Sequence, residues 1–169
     1  MDIKALFKIT YGLYVAGSKI DGRDAGCIVD ALIQSTSSPI PTLILCSMHK
    51  NQTNAAIKQT GELTISVLRA DVDPFIIANF GFQSGRDIDK WANVAHSRSG
   101  DLPVLKEAAA SFHCKVTEFK ELSTHTVFFM DVVDARDGEG EPLIYSDYQK
   151  NMKTKAMEAF KAFKEKKSL

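Results

Sequence analysis

Ile3, Leu6, Phe7 and Ile9 recur near helical spacing and predict a short amphipathic helix that ends before Tyr11-Gly12. Residues 13–16 then read as a strand, and the turn-forming run Ser18-Lys19-Ile20-Asp21-Gly22-Arg23 predicts a hairpin into a second strand over 27–36. Pro39 and Pro41 break that strand, because neither can donate to a ladder. Residues 42–47 carry the Leu and Ile of a buried strand. Asn51-Gln52-Thr53-Asn54 opens a two-turn helix and Gly61 closes it. Residues 63–68 alternate apolar with Thr and Ser, a period of two. Asp71, Asp73 and Pro74 start a helix that runs to Phe80-Gly81. Residues 82–91 read as irregular or a short helix, and 92–102 as loop. The two longest strand candidates, 111–119 and 124–134, are rich in Val, Phe and Thr. A turn at Asp137-Gly138-Glu139-Gly140 leads to a short last strand over 143–145. Six or seven short strands with three or four helices, and no regular β-α alternation, favour a closed antiparallel sheet over a doubly wound one.

The last stretch differs from the rest. Met152, Ala156, Phe160 and Phe163 share one helical face with lysines opposite, which predicts a basic amphipathic helix over 151–169 after a body of residues 1–150. It reads as a helix packed on the body or on a second subunit. The other reading, a helix on a membrane surface, calls for a cleaner apolar face. Residues 150–169 hold seven Lys and two Glu, net +5, so the neutral total leaves −5 on residues 1–149.

Composition narrows the class. A chain of 169 residues, 44% apolar and 25% charged, is the size of one domain and is neither disordered nor low-complexity. Zero net charge argues against a nucleic-acid binder as a whole. No apolar run approaches a membrane span, and Met1-Asp2-Ile3-Lys4 has no secretory character, so the expectation is cytoplasmic. Cys27, Cys46 and Cys114 are odd in number and far apart, with no CxxC pair. Neither a disulfide framework nor a structural metal site is expected.

Nucleotide loops of the GxGxxG and GxxxxGK[ST] types are missing, and Gly81-Phe82-Gln83-Ser84-Gly85 has the wrong spacing for a nucleophile elbow. A helix start near Thr53 offers free amides and a positive dipole end to a phosphate, and Asn51 and Thr53 can add side-chain donors. The same residues also make an ordinary N-cap, so locally both readings stand. Ser84-Gly85-Arg86-Asp87 with Lys90 supplies cations, a hydroxyl and a glycine, or simply a solvated loop. His125, between Thr124 and Thr126, could face a pocket or serve structurally, and Cys46 could fill space as a small apolar group.

Taken together, four segments resemble one family: Lys8-Ile9-Thr10-Tyr11-Gly12-Leu13-Tyr14-Val15, Phe80-Gly81-Phe82-Gln83-Ser84-Gly85-Arg86-Asp87, Thr124-His125-Thr126-Val127-Phe128-Phe129 and Val132-Val133-Asp134-Ala135. It is the FMN-binding split-barrel flavin reductases, in the branch with archaeal ferric reductase, flavoredoxin and the flavin module of high-molecular-weight rubredoxins. The resemblance covers roughly residues 1 to 150. It implies a mainly β fold, a six-stranded Greek-key split barrel with peripheral helices, and a homodimer with one non-covalent FMN per subunit. It implies a phosphate held by Cys46, Ser47, Met48, Asn51 and Thr53 with help from Ser84, Arg86 and Lys90, and a flavin ring against Asp30, Ala31 and Leu32. Cys46 and His125 would look onto the flavin and nicotinamide as the catalytic pair. The activity implied is electron transfer from NADH or NADPH through FMN to free flavin, ferric complexes or a small redox protein, without nucleic acid or membrane.

The chain departs from that pattern where relatives carry Gln-x-Ala-Asn-Thr and it has Cys27-Ile28-Val29-Asp30-Ala31. An Asp in place of Asn implies weaker FMN binding, a lowered flavin potential, or a carboxyl kept protonated by burial. The CxxC pairs of a rubredoxin segment are absent too. Two other functions therefore stand beside the reductase: an electron-transfer flavoprotein reduced by a partner protein, and a barrel that has lost flavin and serves as a binding module.

Overall fold

Asp21 and Gly22 both take positive φ, 50° and 75°. That is the two-residue hairpin turn an Asp-Gly pair favours, and it joins β1 (Tyr14–Ile20) to β2 (Arg23–Val29). In this computed structural model, which describes residues 1–167, the chain then crosses Asp30-Ala31 into β3 (Leu32–Thr36) and returns as β4 (Thr42–Met48). Helix α1 (Gln52–Thr60), stopped by Gly61 at φ 69°, leads to β5 (Glu62–Val67). Helix α2 (Pro74–Gly81) is capped by the Asp73 side chain and starts on proline, as the sequence predicts. After β6 (His96–Ser99) and β7 (Leu102–Leu105) come the long β8 (Ala110–Glu121) and β9 (His125–Asp137).

The main sheet runs β2-β1-β5-β8-β9-β4-β3, antiparallel throughout. β2 and β3 are its opposite edges, yet only Asp30 and Ala31 separate them, and the three Cα steps from Val29 to Leu32 span at most about 11 Å. The sheet must therefore curl until those strand ends come together, while Cys46 N donates to Ala31 O at 2.9 Å and so extends the β3–β4 ladder up to the crossing. Inside it Ala16, Leu45, Leu63, Ile65, Cys114, Phe128 and Met130 form one buried cluster. A second core under α2 gathers Leu13, Leu68, Ile77, Phe80, Trp91 and Leu143.

Four expectations are corrected. Residues 27–36 are not one strand: β2 ends at Val29 and β3 starts at Leu32, which gives the main sheet seven strands, within the six or seven that the pattern predicts. Residues 92–102 are not simply loop, since 96–99 and 102–105 pair as a small hairpin whose Leu102, Val104 and Leu105 are buried. No final strand forms over 143–145: single bridges join Gly12 to Ile144 and Arg69 to Pro142, and the chain turns into helix α3 (Tyr145–Asp147). The first helix is a 3-10 segment, Ile3–Lys8, with Ile3 and Leu6 exposed, too short to propagate an α-helix.

A π segment, Tyr148–Met152, leads into α4 (Lys153–Lys167), whose Ala156 is buried and whose Phe163 ring lies 4.9 Å from that of Phe75 on α2. Residues 168 and 169 of the expected 151–169 helix lie outside the described residues. Among the described residues no helix is long and apolar enough to cross a membrane.

Candidate functional site

The seam between the sheet edges opens into a cleft of two lobes. The wide lobe, about 500 Å³, has apolar walls from Leu13, Ile28, Val29, Ile77, Phe80 and Tyr148. The narrow lobe, about 300 Å³, is bounded by the start of α1 and the 81–86 turn. Cys27, Asn51, Phe82, Gln83 and Lys90 border both, so the two form one continuous site.

The narrow lobe is built for negative charge. Lys90 is only 4% exposed, and its Nζ donates to Phe80 O at 2.9 Å with no carboxylate partner among the described residues. Burial holds its ammonium below the usual lysine range. Asn79, itself buried, fixes the lysine by donating to Lys90 O at 2.8 Å. Arg86 reaches across to donate to Lys50 O at 2.9 Å, and Ser84 Oγ accepts from Arg86 N at 3.1 Å. Gly85 brings the backbone close to Gln52, whose Oε1 would stand 2.7 Å from a Cβ placed there and would have to swing aside. Asn51 stands at the N-cap of α1 but makes no cap bond. Its Nδ2 donates instead to the Cys27 sulfur at 3.8 Å, and the buried Thr53 side chain bonds the same thiol. One Asn51 hydrogen and Thr53 thus serve Cys27, while the first amides of α1 have no side-chain cap.

Two buried side-chain oxygens, one at the waist and one in the wide lobe, lack partners among the described residues. Gln83 Nε2 donates to Asn79 Oδ1 at 2.8 Å, which leaves Gln83 Oε1 buried and unpaired, and Ser47 Oγ is likewise unpaired. Such groups are rare in folded proteins and mark positions where an outside donor or acceptor fits.

In the wide lobe Cys46 is partly buried, and burial together with the Asp30 carboxylate pushes its thiol up. The Asp30 side chain has no hydrogen-bond or ion-pair partner among the described residues, and Ala31 lines the same wall. His125 opens β9 opposite Met48 and is tied through Nδ1 to Thr124 Oγ1 at 2.7 Å, which leaves Nε2 without a protein partner among the described residues. Met48, 36% exposed, forms the rim.

The cleft thus brings together Asp30, Ala31, Cys46, Ser47, Met48, Asn51, Thr53, Ser84, Arg86, Lys90 and His125. It does not include Leu32, which packs, partly buried, against the core inside the curled sheet. Sequence reasoning missed Gln83, Phe82, Tyr145 and Tyr148 as lining residues. Gln83 and Phe82 stand within a quoted motif, but the tyrosines lie some 60 residues from it and only the fold brings them in.

A phosphate, polyol and flat ring in series match these features in order: buried cations, unpaired buried acceptors, then an apolar slot. The match to known proteins agrees. Residues 6–153 match the flavin reductase like domain. The chain is 34% identical over 151 residues to a ferric-chelate reductase (NAD(P)H) of Archaeoglobus fulgidus, covering 88% of this chain and 89% of that one. It is 35% identical to a high molecular weight rubredoxin of Moorella thermoacetica, over 88% of this chain and 66% of the relative. The fold superposes on flavoredoxin from Methanosarcina acetivorans with a TM-score of 0.70 at 18% identity, covering 79% and 74% of the two chains. With the match spanning nearly the whole body of the molecule, the chain belongs to the flavin reductase like domain family.

Proposed function

We propose that the protein is an FMN-dependent oxidoreductase that takes electrons from NADH or NADPH and passes them to free flavin, ferric complexes or a small redox protein. The observation that carries the reading is the buried, carboxylate-free Lys90 leading past two unpaired acceptors into an apolar slot. When bound, FMN supplies the hydride and electron chemistry, and the chain supplies orientation and electrostatics. Lys90, Arg86 and the first amides of α1 hold the phosphate. Gln83 Oε1 and Ser47 Oγ, unpaired in the protein, would be available for hydrogen bonds to FMN. Asp30, Ala31 and Cys46 border the ring, and the free Nε2 of His125 orients the nicotinamide or carries a proton.

The curled sheet is read as the family's Greek-key split barrel, with β2 and β3 as the two halves of one bent strand. Ile33, Ile44 and Phe129 are cross-strand neighbours on its outer face, with Ile33 62% exposed, which supports a homodimer through that stripe. We place the protein in the cytoplasm, where its three free cysteines persist.

The test is titration of the purified protein with FMN, followed by anaerobic mixing with NADH and with NADPH. A flavin spectrum perturbed on binding and then bleached by one nucleotide is expected. Lys90→Met should raise the FMN dissociation constant at least about tenfold, the loss of one charge-assisted contact. No FMN uptake, or uptake indifferent to Lys90, would overturn the reading.

A further inference from the structure

Helix α4 backs the cleft. Its Phe160 meets Phe82 edge-on, ring centroids 5.8 Å apart, and Phe82 borders both lobes. At about 100° per residue, Lys153, Met157, Lys161 and Lys164 fall within roughly 80° of one another on the flank beside Phe160. All four are exposed, Met157 by 58%, while Glu158 and Glu165 stand at the outer margin. Among the described residues Lys153 reaches Gln149 Oε1 at 3.4 Å, Lys161 makes one long contact, 4.0 Å, with Glu165, and Lys164 lies over the Phe160 ring at 5.4 Å.

We propose that this flank docks a small acidic electron-carrier protein, resting on the reductase reading above. An exposed methionine ringed by cations suits a small, quickly reversed contact: charge gives orientation and on-rate, and the soft side chain adapts to the partner. With +5 on residues 150–169 and −5 on the remainder the molecule is electrically polar, so an acidic carrier is steered to this end. A seated carrier is separated from the cleft by the Phe160–Phe82 layer. The net step is balanced: one NAD(P)H and two oxidised one-electron carriers give NAD(P)+, two reduced carriers and one proton. A second copy is disfavoured as occupant, because a two-fold contact would press the same lysines together. A membrane is disfavoured because the apolar face of α4 is spent on α2 and Met157 is the one large apolar side chain left exposed on the helix.

The test uses the full FMN-loaded chain and purified rubredoxin as the acidic probe, with binding followed by NMR titration at low and roughly tenfold higher salt. Salt-weakened binding is expected, with shifts centred on α4. The double variant Lys153→Glu/Lys161→Glu should weaken binding at least tenfold, flatten the salt dependence and leave FMN reduction by NAD(P)H unchanged. Equal binding by the variant, equal binding of basic cytochrome c, anionic phosphatidylglycerol vesicles bound in place of rubredoxin, or a charge-reversed chain that changes oligomeric state would each overturn the docking face. Loss of FMN reduction in the unaltered chain would instead overturn the reductase reading, since carrier binding is read separately.

Discussion

An unpaired carboxylate in a ligand cleft sets its own terms. Asp30 has no protein partner among the described residues, yet its charge is felt by the Cys46 thiol on the same wall. A negative charge beside a flavin opposes the electron-rich reduced form more than the oxidised one. Asp30→Asn with Ala31→Thr should therefore tighten FMN about tenfold and raise its two-electron potential by about 30 mV, the equivalent of about 1.4 kcal/mol. Unaltered FMN titration and redox curves would contradict this. Lys90 is the opposite case. Its burial costs stability in the empty protein, and an anion beside it would offset that cost, so FMN should stabilise the unaltered fold more than it stabilises a Lys90→Met variant. The sequence shows Lys90 as one more cation in a polar stretch; nothing local tells that Asn79 and Phe80 draw it inside.

Elements place these residues through close packing at a few glycines. Gly17 and Gly26 face each other across the β1–β2 hairpin, and the Trp91 ring fills the slot they leave. Trp91 Nε1 donates to Ala25 O at 3.1 Å, which pins the segment after Lys90 to β2. A Cβ on Gly26 would stand 2.8 Å from both Phe80 and Trp91. Gly26→Ala should accordingly destabilise the fold by about 2–3 kcal/mol, seen as a lower denaturant midpoint at unchanged slope. The helices were legible because their ends carry chemistry: Asp73-Pro74 at one start, Gly61 at one stop. The break at Asp30-Ala31 was not, because residues 27–36 are apolar enough to read as one strand and the crossing depends on sheet closure. The hairpin over 96–105 was hidden by its polar first strand and Pro103, and its burial comes from contacts with β1 and β5 far away in sequence. Of the site, the motif residues were legible and the tyrosines of the far terminus were not.

Charge is also distributed across the whole molecule, and it sets how stability responds to acid. Burial tends to raise the Glu62 carboxyl, but bonds from His113 at 3.0 Å and from Lys115 outweigh it and hold the group below its usual range. A carboxylate whose folded value is depressed stabilises the fold above its unfolded value, about 4.3, and that contribution fades as pH falls through the folded value. Melting curves should thus drop below about pH 4.5, and Glu62→Gln should lower stability at neutral pH while flattening the acid limb; parallel curves for both proteins would contradict it. The joint at Asp30-Ala31 carries a last consequence. Asp30 and Ala31 both join the outermost strands of the sheet and line the cleft, so one wall of the binding place is the closure of the sheet itself. An occupant of that cleft should therefore brace the sheet as well as the turn it touches, which a melting temperature that rises with added FMN would show.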